Sequence, residues 1–192
     1  MRLLGRVLLV AAIIGGGQVA PAFADTGTTA VARSRVGFEQ LTDLVVRRIN
    51  VGDAVAASKY FSGKPVDDPV REAQILASVR ESAQQLGIDP TETAAFFQAQ
   101  IDASKVVQRG LLAQWAKHPA DAPTAGSDLD AVRKQLDQLT VDLLAELVII
   151  DHLRDPRPRC EISLLLATIP AAFHLDRLHR QALGAATGTV CR

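Results

Sequence analysis

Apolar residues recur at helical spacing through most of the chain. Leu41, Leu44, Val45, Ile49 and Val55 form a first stripe, which predicts a helix ending near Tyr60 with Gly52 and Asp53 as a weak point inside it. Gly63 and Pro65 then break the pattern. A second helix is predicted from "DDPV", where Asp67 or Asp68 can cap and Pro69 suits the first turn, to about Gly87. "IDPTE" restarts the periodicity, with Asp89 as cap, Pro90 at the first helical position and Glu92 placed to complete a capping box; this third helix should reach about Lys117. After the Pro- and Ala-rich stretch "HPADAPTAGS", a fourth helix is expected from beyond Ser127 to about Leu153, where "RDPRPRC" ends it. Helical spacing resumes at Cys160, and Pro170 should kink or divide that segment. No run alternates with a period of two for long enough to propose a strand, so the pattern predicts an all-α, single-domain bundle of about six helices.

The start of the chain has a different character. Arg2 and Arg6, the apolar "VLLVAAII" and the small-residue "AFA" before Asp25 read as a secretory signal over residues 1–24, and residues 25–37 read as a flexible leader to a domain spanning 38–192. The apolar run is shorter than the ~20 residues that cross a bilayer, so no membrane association is expected once the signal is cleaved, and the protein should be secreted or periplasmic. The whole chain has 21 basic and 21 acidic residues; loss of two arginines with the signal leaves about −2, which argues against a nucleic-acid partner. In an exported protein the two cysteines, Cys160 and Cys191, suggest one disulfide rather than a metal site. Closing that loop would stabilise the C-terminal segment by roughly 3 to 4 kcal/mol. His118, His152, His174 and His179 show no metal-ligand spacing.

Certain polar residues fall where apolar ones would serve. Arg48 lies on the first stripe, and Lys59, eleven residues on, shares its face roughly 16 Å along the axis. Arg71 shares a face with Ile75 and Val79. Ser104 and Gln108 lie on the stripe of Phe97, Ile101, Leu111 and Trp115, and Arg133 lies beside Leu136 and Thr140. One cation at the edge of a stripe ordinarily snorkels to water, and the carboxylates Asp67, Asp68 and Glu72 are what a helix start carries. Several cations facing one interior are costly unless an anion lies among them, so the set points to a pocket for a small, multiply anionic ligand.

The segments "RRINVGDAVAASKY", "PVDDPVREAQIL", "GIDPTETAAFFQAQIDASKVVQ", "LDAVRKQL" and "HLDRLHRQAL" leading to Cys191, in that order, resemble the secreted all-helical chorismate mutases. The resemblance implies rearrangement of the chorismate dianion to prephenate without cofactor or metal, by a homodimer. It implies Arg48 and Arg133 as carboxylate clamps, Arg71 and Ser104 as orienting groups, Lys59 and Gln108 as donors to the ether oxygen, and Glu72, supported by Asp68, at the ring hydroxyl. Some relatives carry glutamine four residues after the arginine matching Arg71; Ile75 stands there in this chain, with Gln74 beside it as the candidate substitute. Two other readings share the scaffold: an enzyme eliminating pyruvate from isochorismate, and a secreted helical binding protein without catalysis.

Overall fold

The computed structural model describes the backbone from residue 26 to residue 192 and side chains from residue 37, so the expected signal segment lies outside the described residues. Among the described residues the chain forms six α-helices and no strand: α1 (Thr26–Ser62), α2 (Pro69–Leu86), α3 (Pro90–Lys117), α4 (Leu129–Ile150), α5 (Arg157–Phe173) and α6 (Arg177–Thr187), with short 3₁₀ turns at Pro119–Asp121 and Asp151–Leu153. The backbone of residues 26–37, anticipated as a leader, is helical and continuous with α1. No described helix is long and apolar enough to cross a membrane.

Local chemistry sets most boundaries. Asp68 caps α2 by accepting from the Arg71 N–H at 3.1 Å, Pro69 follows at the first helical position, and Gly87 ends the helix with φ at 76°, its N–H turned back to the last turn. Asp89 caps α3 through the N–H groups of Thr91 and Glu92, both at 2.8 Å. The predicted capping box stops there. The Glu92 carboxylate turns instead to Arg192 at 2.7 Å and Arg154 at 3.7 Å, because two C-terminal guanidinium groups outcompete one backbone amide. The reciprocal arrangement occurs at α2, where Glu72 Oε1 accepts from the Asp68 N–H at 3.1 Å. Pro170 does not divide its segment: α5 continues through it to Phe173, and the break comes at His174 to Asp176.

Helix α1 is the axis of the bundle, packed on α3, α4 and α5. Phe38, Leu41 and Val45 meet Phe96, Phe97 and Val107 of α3 and Leu139, Leu143 and Leu147 of α4 in one buried core. Gly52 is a contact rather than a weak point. A Cβ there would lie 3.2 Å from Val107 Cγ1, so its absence lets α1 and α3 approach closely beside Ser104. The C-terminus is held by the Cys160–Cys191 disulfide and by buried Arg154, whose Nε donates to the Val190 carbonyl at 2.7 Å.

Candidate active site

The close approach of α1 and α3, with α2 packed on α3, leaves a cavity of about 130 Å³ at the end of α1. Lys59 enters from α1, Asp68, Arg71 and Glu72 from the start of α2, and Ser104 and Gln108 from α3. Arg48, Arg71, Ile75 and Leu136 also line a second cavity of about 230 Å³ between α2 and α4, so the two adjoin as one cleft.

Each polar group is held by its neighbours. Arg48 is buried, and its Nη1 donates to the Leu136 carbonyl at 3.2 Å and to Thr140 Oγ1 at 3.3 Å. A guanidinium can only donate, so Thr140 must accept, while its own hydroxyl donates to the same Leu136 carbonyl at 2.8 Å. Burial lowers the Arg48 pKa to about 10, against the attraction of Asp137, and the group remains a cation at neutral pH. Lys59 is half-buried and donates to the Val66 carbonyl at 2.7 Å. Burial pulls its pKa down, while Asp68, Asp67 and Glu72 oppose that fall.

Gln108 Nε2 donates to Ser104 Oγ at 2.9 Å, and Gln108 Oε1 is buried without a hydrogen-bond partner. A half-turn of the amide lets the serine hydroxyl donate to Oε1 and presents both N–H groups for donation elsewhere. The cleft can therefore offer amide, ammonium and guanidinium donors to an anion, held on packed helices.

Most of the residues that the sequence singled out come together. Arg48, Lys59, Asp68, Arg71, Glu72, Ser104 and Gln108 line the inner cavity. Gln74 lines only the outer one, whereas Ile75 lines both; the 100° step between adjacent helical positions separates them. Arg133 does not join the cleft. It is exposed and paired with Asp130 at 3.0 Å, one turn before Leu136 on α4. Sequence reasoning missed Lys105, which lines the inner cavity and lies 2.6 Å from Glu72 Oε2. It also missed Thr140 as the partner of Arg48. The carboxylates at 67, 68 and 72 were the available signal for Lys105, since grouped acids require counter-charges.

Residues 39–109 match the family described as Chorismate mutase type II, and that span holds every residue named above as lining the inner cavity except Leu136. A secreted chorismate mutase from Mycolicibacterium smegmatis is 37% identical over 155 residues, covering 79% of this chain and 84% of the relative. One from Mycobacterium tuberculosis is 32% identical over 156 residues, covering 80% and 77%. The crystal structure of a chorismate mutase from Burkholderia thailandensis superposes with a TM-score of 0.75 at 34% identity, covering 81% of this chain and 99% of that one. With this identity over more than two thirds of its length, the chain belongs to the type II chorismate mutases.

Proposed function

We propose that the cleft binds the chorismate dianion and converts it to prephenate. In this rearrangement an ether C–O bond breaks as a C–C bond forms within one molecule, so no nucleophile, base or cofactor is called for. Rate then comes from holding the compact reactive conformer and from placing donors where negative charge grows on the ether oxygen. Arg48 and Arg71 grip carboxylates through forked guanidinium groups. Lys59 and Gln108 donate to the ether oxygen, Ser104 orients the Gln108 amide, and Glu72, held by Asp68, accepts the ring hydroxyl. Arg133 reaches the cleft mouth by rotating away from Asp130, an exposed partner of small energetic worth. The observation that carries the reading is the convergence of Arg48, Lys59, Arg71 and Gln108 on one cleft.

The expected signal segment 1–24 and the relatives named as secreted chorismate mutases support a reaction outside the cytosol. Ile162, Leu165, Leu166, Ile169 and Phe173 form an exposed apolar stripe along α5, on the order of several hundred Å². A contiguous apolar stripe of this kind on one helix face fits an interaction surface, and it supports a homodimer in which α5 packs on its own copy about a two-fold axis. Leu165→Glu should then give monomers in light scattering.

The deciding experiment incubates purified mature protein with chorismate in metal-free buffer. Prephenate should appear and be suppressed by a dianionic transition-state analogue. Pyruvate in its place would identify a lyase, and no turnover would identify a binding protein.

A further inference from the structure

Lys105 lies in the inner cavity between Ser104 and Gln108, yet none of the roles above uses it. Only 14% of its side chain is exposed, and its Nζ lies 2.6 Å from Glu72 Oε2 and 3.2 Å from Asp67 Oδ1. The other Glu72 oxygen accepts from the Asp68 N–H, so both carboxylate oxygens are fixed. The hydrogen bond from Lys105 to Glu72, the largest influence, and that to Asp67 hold the lysine pKa above its ordinary value against burial. The positive charge is therefore present throughout the neutral range.

Three carboxylates stand at this edge of a cleft that must receive a dianion. Arg109 balances Asp67 from outside through two bonds of 2.7 and 2.8 Å, and the Arg71 N–H engages Asp68. Glu72 is the one asked to approach the substrate, and an uncompensated carboxylate there would repel the ligand whose hydroxyl it accepts. We infer that Lys105 is a positioning residue for this reaction: it fixes Glu72 Oε2 and cancels its charge, so that the site favours dianions carrying a ring hydroxyl. This inference rests on the functional reading above, with Glu72 at that hydroxyl.

The test compares the wild-type chain, Lys105→Met and Lys105→Arg on chorismate and on a chorismate analogue lacking the ring hydroxyl. On chorismate, Lys105→Met should lower kcat/KM about tenfold to a hundredfold, and Lys105→Arg should recover most of that loss. On the analogue the loss in Lys105→Met should be at least about threefold smaller than on chorismate, because the unbalanced Glu72 charge still repels the dianion but there is no hydroxyl contact left to lose. Thermal melts accompany the kinetics, and Lys105→Gln replaces Lys105→Met if the latter does not fold. An equal loss on both substrates, or no loss on chorismate, overturns the role of Lys105 while leaving an active wild-type enzyme. A wild-type protein that turns over neither compound overturns the functional reading and this inference with it.

Discussion

The Lys59 ammonium donates to the Val66 carbonyl at 2.7 Å, so the lysine at the end of α1 is tied to the loop that leads into α2. The loop is tied to α3 in turn, through Asp67 to Lys105 and Arg109. The donor assigned to the ether oxygen is thus held in the cleft before substrate arrives, which is what electrostatic preorganisation requires.

The ionisation of Lys59 gives the first prediction. Burial lowers its pKa below the ordinary 10.5, and Lys105 adds to that, while Asp68, Asp67 and Glu72 counteract it. The cation is the active form, so activity is lost as pH rises through the lowered value. The alkaline limb of kcat/KM, which reports the free enzyme, should therefore fall below the pH of an ordinary lysine. Lys59→Arg should push that limb beyond the measurable range even if its rate is lower. A limb unchanged in Lys59→Arg would assign it to another group.

Gln108 gives a prediction of opposite pH sense. Removing one transition-state donor costs about 2 to 4 kcal/mol, so Gln108→Ala should lose most of kcat with a smaller change in KM. Gln108→Glu should be active only in acid. An amide donates at any pH, whereas a carboxyl donates only when protonated, so its rate should fall about tenfold per pH unit above the pKa of the new group. Rates for Gln108→Ala equal to wild type would remove this residue from the mechanism.

Arg48 separates function from stability. Its guanidinium is buried, it donates to the Leu136 carbonyl and to Thr140 Oγ1, and burial lowers its pKa to about 10. Arg48→Met removes that desolvation cost and leaves no stranded carbonyl, because the Thr140 hydroxyl still donates to Leu136. The variant should melt at the same temperature as wild type or a few degrees higher while losing about a hundredfold or more in kcat/KM. A lower melting temperature with normal activity would make Arg48 a structural residue.

The local rules read well from sequence and the long-range ones did not. Caps and first-turn prolines at Asp68 and Asp89 depend on a few adjacent residues, and Arg48 and Lys59 share a face because eleven residues make almost whole turns. Periodicity shows which face a side chain leaves from but not where its far end goes. Arg133 has the right face, yet its side chain turns to Asp130. Lys105 sits one step off the apolar stripe of α3, and its role is visible only once the α2 carboxylates are folded against it. The Glu92 side chain was misassigned for the same reason, since Arg154 and Arg192 are brought to it by the C-terminal fold.

His179 carries the last prediction, which concerns stability. On α6 it is buried between two acids, with Nε2 2.9 Å from Asp53 on α1 and Nδ1 2.7 Å from Asp176, so it joins α6 to the central helix. Burial, the largest single influence, pushes its pKa down, but the hydrogen bonds and charges of Asp53 and Asp176 together outweigh it, and the pKa is raised above 6.5. A group whose folded pKa exceeds its unfolded value stabilises fully below the unfolded value and stops doing so as pH rises through the folded one. The contribution of His179 should therefore be complete below about pH 6 and fade above neutrality. At the acid end Asp176 acts in the opposite sense. Its pKa is lowered, first by the His179 N–H, so its contribution is lost as pH falls below the ordinary aspartate range. The melting temperature of wild type relative to His179→Gln should be highest in the mildly acidic range and decline on either side. A difference that does not change between pH 6 and pH 8.5 would show that the imidazole does not titrate in the fold.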